Sequence, residues 1–169
     1  MRVKKIIDED FTNYKQPCTF ICTCFCTGKC YKEQNLPMSI CQNSAWQKML
    51  SFELDDSVII QKYFDNPISK AICFGGLEPF EQVEEIVAFV QLLRLKFHCH
   101  DDVVIYTGYT KDECFERGWL KSLSAFDNII IKFGRYIPNQ KPHYDKILGV
   151  WLASDNQYAV RLDNIMDGK

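Results

Sequence analysis

The chain has 169 residues and a mass of 19.8 kDa, with 47% hydrophobic and 14% aromatic side chains. That is enough apolar material for a single domain with a sizeable core and no need of cross-links. A formal net charge of −2 and a pI near 5.9, with no block of like charge, exclude a general nucleic-acid binder with a basic face.

The N-terminal stretch MRVKKIIDEDF is basic and then acidic, without the apolar core of a secretory signal. No apolar run approaches the ~20 residues of a membrane span. A cytoplasmic chain is expected. Its nine cysteines are then metal ligands or buried thiols rather than disulfides, and the odd number agrees. So many thiols suit a low-oxygen setting.

In chain order, residues 1–17 read as a polar, irregular N-terminal segment ending at Pro17. Thr19 to Thr23 is short, β-branched and aromatic, and predicts a strand. Residues 24–43 form a cysteine-rich loop, with Gly28, Asn35, Pro37 and Asn43 as turn formers. Ser44 is placed to cap a short helix over 45–50. Asp55-Asp56-Ser57 opens a second helix, which Asn66-Pro67 stops. Ala71 to Phe74 is an apolar run that feeds Gly75-Gly76, as a buried strand entering a tight turn. From Glu81 the period changes. Val83, Ile86, Val87, Val90, Leu93 and Phe97 share one helical face, with acids in the first turns and Arg94 and Lys96 in the last.

Asp102 to Thr107 predicts another buried strand, ending at Gly108. Residues 111–124 predict a weaker helix, interrupted by Gly118. Asn128 to Phe133 predicts a further strand, ending at Gly134. Residues 135–149 read as loop, 151–154 as a last short strand, and 163–169 as a frayed tail. Strands and helices alternate, and the strands are continuously apolar, which predicts an α/β fold with a mostly parallel sheet. Four or five such units are too few for a closed eightfold barrel of ~250 residues. A partial, open (β/α) barrel or a doubly wound sheet fits the length, and in both the site forms at the C-terminal ends of the strands.

Soft sulfur ligands suit iron–sulfur clusters or zinc. Spacing alone does not choose the ligands, because Cys18–Cys22, Cys22–Cys26 and Cys26–Cys30 all read Cys-x3-Cys. Cys22 and Cys73 lie in apolar strand contexts, where cysteine acts as a small hydrophobe. Cys18 and Cys24 flank the loop as candidate alternate ligands or resolving thiols. His98, His100 and His143 show no metal-ligand spacing beyond the His98-Cys99-His100 cluster, which reads as an exposed helix end. The Gly75-Gly76-Leu77-Glu78-Pro79 loop reads either as a plain strand-to-helix turn or as a cradle for a small cofactor.

Cys41-Gln42-Asn43-Ser44-Ala45-Trp46, the Gly75–Pro79 loop, Tyr106-Thr107-Gly108-Tyr109 and Ser154-Asp155-Asn156-Gln157 together resemble the radical S-adenosylmethionine (SAM) enzymes. More narrowly, the chain resembles the activating proteins of anaerobic (class III) ribonucleoside-triphosphate reductases, from about Phe20 to about Val160. The resemblance implies a partial, open (β/α) barrel of radical SAM type, a [4Fe-4S] cluster and S-adenosyl-L-methionine. It also implies a reductase as protein substrate, activated by formation of a glycyl radical, and a flavodoxin or ferredoxin as electron donor. Gln42-Asn43 marks Cys41 as the third cluster ligand, with Cys26 and Cys30 as the first two. The family spacing is Cys-x3-Cys-x2-Cys, so Tyr31 to Ile40 is an insertion within the motif.

Ile40 stands where the family tends to carry an aromatic residue, so apolar packing would replace adenine stacking there. The backbone of Gly75, Gly76 and Pro79 would face the SAM amino group, with Glu78 holding the loop. Thr107 would meet the ribose and Lys132 the methionine carboxylate, with Asn156 a further candidate. Two alternatives remain open: another small radical SAM enzyme such as a 7-carboxy-7-deazaguanine synthase, and a non-catalytic zinc or iron–sulfur module.

Overall fold

The computed structural model describes residues 1–163. Two N-terminal strands, β1 (Arg2–Val3) and β2 (Lys5–Asp10), precede β3 (Cys18–Cys22). The cysteine loop carries one turn of helix, α1 (Lys29–Lys32), and a 3₁₀ turn over Met38–Ile40, and leads into α2 (Ser44–Gln47). Then come β4 (Phe52–Glu53), α3 (Asp56–Asp65) and β5 (Ala71–Gly75). A 3₁₀ turn over Pro79–Gln82 runs into α4 (Val83–Leu95), and β6 (Asp102–Tyr106) follows. Next are α5 (Lys111–Glu116), α6 (Trp119–Leu123) and β7 (Ile129–Phe133). β8 (His143–Asp145), β9 (Val150–Leu152) and β10 (Tyr158–Arg161) complete the set.

The central sheet has six strands in the order β10-β7-β6-β5-β3-β2. β3, β5, β6 and β7 pair in parallel, and β2 and β10 close the two edges antiparallel. The fold is thus mixed α/β around a largely parallel sheet, as expected.

Alternation along the strands explains why those four read as unbroken apolar runs. Ile21, Ile72, Phe74, Val103, Ile105, Ile129 and Ile131 pack on one face against α3, α4, α5 and α6. Cys18, Phe20, Cys22, Cys73, Val104 and Ile130 pack on the other, under Tyr14, Leu148 and Leu152. Both faces are largely apolar, with Thr19 and Lys132 as buried polar exceptions in these strands. Phe74 meets Phe89 of α4 edge-to-face at 5.3 Å. Ile86, Phe89, Val90 and Leu93 form the buried stripe of α4.

The structure corrects the sequence reading at several places, β10 among them, since it follows the strand expected to be the last. The N-terminal segment is not irregular: β2 pairs with β3 as an edge strand. Its residues, KIIDED, read as polar because one side faces water. The expected loop over 135–149 contains β8, which forms a hairpin with β9. The strand expected over 151–154 runs instead over Val150–Leu152. The helix over 45–50 is the shorter α2, with Asn43 rather than Ser44 at its N-cap. The expected break at Gly118 is found: φ is +74° there, and α5 ends just before it. Of the expected tail, residues 164–169 lie outside the described residues.

Candidate metal centre

The cysteine loop and the glycine turn meet at the C-terminal ends of the parallel strands. β3 delivers the loop that carries Cys26 and Cys30. β5 runs into Gly75-Gly76, whose carbonyl and neighbours lock the start of that loop. Thr23 donates to the Gly75 carbonyl through its backbone N–H at 3.0 Å and its hydroxyl at 3.2 Å. The Glu78 N–H donates to the Phe25 carbonyl at 2.8 Å. The register Cys22↔Gly75 sets the two loops side by side.

Cys26, Cys30 and Cys41 all line one cavity of about 250 Å³, with Ile40, Glu78, Lys132 and Arg135 in the same wall. Burial pushes the Cys26 thiol up, while the Gly28 N–H, donating to its sulfur at 3.3 Å, pulls it down. The contact between the Cys30 and Cys41 thiols holds Cys30 above and Cys41 below the usual thiol range. Among the described residues no three His, Cys, Asp or Glu side chains are drawn closely enough together to hold one metal ion. The three thiols stand instead around the wall of the cavity. Three soft donors so arranged, beside a buried cation, suit the charge and softness of an iron–sulfur cluster.

The other cysteines lie elsewhere. Cys18, Cys22 and Cys73 are buried in the inner-face cluster, and Cys99 and Cys114 in the outer. Burial pushes Cys22 up to about 12. Cys24 is buried as well, its N–H donating to Gln82 at 2.7 Å. His100 lies on the surface, its ring 2.7 Å from Asp127.

A second cavity, of about 460 Å³, adjoins the first. Gln42, Asn43, Gly76, Gly108, Lys132 and Gln157 line both. Trp46, Tyr106 and Trp151 add aromatic walls on the side away from the thiols. Gly76 is required where it stands. Its φ is +78°, and a Cβ there would lie 2.5 Å from the Cys22 sulfur and 2.6 Å from the Trp46 ring.

Glu78 is the tie between β5 and β6. Its Oε1 accepts from the Phe80 N–H at 3.1 Å and the Thr107 hydroxyl at 2.7 Å, and its Oε2 from the Gly108 N–H at 2.8 Å. Burial pushes this carboxyl up to about 7, against those three donors. Lys132, only 6% exposed, has one acceptor among the described residues, the Gly134 carbonyl at 2.7 Å. Burial pushes its ammonium down to about 8, with Glu78 opposing.

Of the candidate residues, Cys26, Cys30, Ile40, Cys41, Gly76, Glu78, Thr107 and Lys132 reach the paired cavities. Gly75 and Pro79 are buried in the turn and do not line them. The Thr107 hydroxyl is already committed, donating to Glu78 and accepting from the Tyr109 N–H at 2.9 Å. Asn156 is also outside the walls. Its amide donates to the Arg135 carbonyl at 2.8 Å, and its neighbour Gln157 takes the place at the cavity.

Sequence reasoning gave no role at the cavities to Trp46 and Tyr106, and placed Gly108 and Arg135 at the strand ends without one. Gly108 and Tyr106 lie inside the Tyr-Thr-Gly-Tyr motif, and Trp46 follows Cys-Gln-Asn, so the motifs held that signal.

A parallel sheet with three cysteine thiols around one cavity at its C-terminal edge suits an iron–sulfur protein. The chain belongs to the 4Fe-4S single cluster domain family, whose description matches residues 11–159. A four-iron, four-sulfur cluster is therefore its cofactor. Comparison with curated proteins and with solved structures gives no match. Among the described residues no helix is long and apolar enough to cross a membrane.

Proposed function

We propose that the chain is a radical SAM activase that generates a glycyl radical on an anaerobic ribonucleoside-triphosphate reductase. One observation carries this reading: the cavity walled by Cys26, Cys30 and Cys41 shares Asn43, Gly76 and Lys132 with a second, larger cavity. In this reading Cys26, Cys30 and Cys41 would hold the cluster, and SAM would lie beside it in the adjoining cavity. When bound and reduced, the cluster would supply the single electron for reductive cleavage of SAM, the source of the hydrogen-abstracting power that a glycine of the partner would meet.

The residues of the chain bind, orient and exclude water. Gly76, which has no Cβ, leaves room for close approach to the backbone of the turn. Lys132 has spare donors at the cavity wall, fit for a carboxylate and strengthened by burial. Glu78 fixes Thr107 and Gly108, so the β5 and β6 turns keep a constant separation. Trp46, Tyr106 and Trp151 give the larger cavity apolar faces for a nucleoside. Trp151 is 71% exposed, so this side of the site is open to a large partner such as a reductase. A flavodoxin or ferredoxin would supply the electron, and the reading places the protein in the cytoplasm.

The test is anaerobic reconstitution with iron and sulfide, followed by dithionite and SAM. The reading predicts 5′-deoxyadenosine, and a glycyl signal in electron paramagnetic resonance when an anaerobic reductase is added. A loaded cluster without 5′-deoxyadenosine overturns the enzymatic reading and leaves an electron-transfer or structural module. 5′-Deoxyadenosine without the glycyl signal points instead to a small-molecule substrate, as in a 7-carboxy-7-deazaguanine synthase.

A further inference from the structure

The stretch Tyr31 to Ile40 separates two of the three cavity thiols in sequence, so something has to hold it closed. Ordering a loop of this length costs conformational entropy, and the stretch has no buried hydrophobic anchor of its own. Its ties to the frame are charged and polar. Arg135, in the turn after β7, donates from its Nη2 to Glu113 of α5 at 2.6 Å, and its Nε lies 3.0 Å from Glu33 as an ion pair without hydrogen-bond geometry. Lys29, next to Cys30, pairs with the same Glu113 and lies 3.6 Å from Glu33. Gln34 donates to the Cys30 carbonyl at 3.0 Å and to the Tyr136 carbonyl at 2.9 Å.

The four charges therefore alternate in a ring: Arg135, Glu33, Lys29, Glu113. Two belong to the cysteine loop and two to the frame. The frame members are themselves held. Glu113 completes a capping box with Thr110, and the Arg135 carbonyl accepts from Asn156. Arg135 is only 12% exposed at its side chain, and it lines the thiol cavity with Cys26 and Cys30. An isolated surface ion pair contributes little, whereas a half-buried network with a guanidinium bridging two carboxylates is the favourable case.

We propose that Arg135 and Glu113 form a clasp that holds the Tyr31–Ile40 stretch shut over the thiols, making Arg135 a positioning residue for cluster retention. The proposal rests on the reading of Cys26, Cys30 and Cys41 as the cluster ligands. It predicts that the clasp governs how fast a bound cluster is lost, and how exposed the loop is in the cluster-free protein.

The test uses the full chain as wild type, Arg135→Gln, Arg135→Lys, Glu113→Gln, Glu33→Gln and the Arg135→Gln/Glu113→Gln double variant. The first readout is the decay of iron–sulfur absorbance when an iron chelator is added anaerobically. Arg135→Gln should speed the decay by roughly tenfold, in line with loss of a charge-assisted network. Arg135→Lys, which cannot bridge both carboxylates, should fall between. The double variant should decay more slowly than the product of the two single effects, because both break one network. The second readout is the rate of tryptic cleavage at the exposed Lys32 in cluster-free protein, which should rise in the same order.

Glu33 lies on the loop itself, so Glu33→Gln leaves the frame intact and tests the clasp even if an Arg135 variant folds poorly. Unchanged decay and unchanged cleavage in Glu33→Gln and Arg135→Gln overturn the proposal, and so does a double variant equal to the product of the singles. If the wild type takes up no cluster, the ligand assignment fails, and the cleavage series still decides whether the clasp exists.

Discussion

Replacing Glu78 by Gln tests the electrostatics of the turn that positions the site. The carboxyl is buried, and burial, the largest influence, lifts it from the ordinary 4.5 to about 7. The folded chain then holds a proton that the unfolded chain has already lost, so stability falls as pH rises from about 4.5 to about 7. At about 1.36 kcal/mol per tenfold ratio the ceiling is about 3 kcal/mol. Roughly 2 kcal/mol of it falls between about pH 5 and pH 7.5.

Lys132 acts with the opposite sign and in another window. Its ammonium is pushed down to about 8 by burial, so stability recovers as pH rises from about 8 towards 10.5. Gln cannot titrate, and the slope due to Glu78 vanishes in the variant. The amide also turns a donor towards the Gly108 N–H, which costs about 1–3 kcal/mol at either pH. The assay is urea unfolding of both proteins at the two pH values, with all thiols kept reduced. Wild type should lose about 2 kcal/mol more than the variant across the window. Equal slopes would refute the assignment of a raised carboxyl at this turn.

Gly76→Ala should destabilise the fold by at least about 1–3 kcal/mol, from the left-handed backbone and the contacts with Cys22 and Trp46, read as a lower urea midpoint at unchanged slope. Lys132→Met should weaken SAM binding by about tenfold or more, measured by anaerobic calorimetry on loaded protein, with the iron content unchanged. Phe74→Ala should cost about 3–5 kcal/mol, because the ring is fully buried against Phe89, and thermal unfolding reads it.

The four parallel strands were legible because each is buried on both faces, so every residue from Ile129 to Ile131 had to be apolar. The α4 stripe was legible because a helix on a sheet repeats every third and fourth residue. The edge strands were not. Lys5–Asp10 and Tyr158–Arg161 each meet water on one side, and their mixed composition imitates loop. The hairpin of β8 and β9 is short and its Tyr144 and Trp151 are exposed, so no burial pattern marks it.

At the site, sequence supplied the thiols, through the Cys-Gln-Asn segment, and the glycine turn. It could not supply the tie from Glu78 to Thr107 and Gly108, which joins side chain to backbone across two strands. The Thr110–Glu113 capping box had a readable spacing, but its second use, as anchor for Lys29 and Arg135, depends on elements distant in the chain.

In the proposed reading Cys26, Cys30 and Cys41 hold the cluster. The direct measurement is iron and sulfide per chain, with the accompanying absorbance, after anaerobic reconstitution of single Cys→Ala variants. Cys26→Ala, Cys30→Ala and Cys41→Ala should each lose the four-iron signature, while Cys18→Ala, Cys22→Ala and Cys24→Ala keep about four irons per chain. A full cluster in Cys41→Ala would contradict the account, since the Tyr31–Ile40 stretch would then lie outside the ligand set.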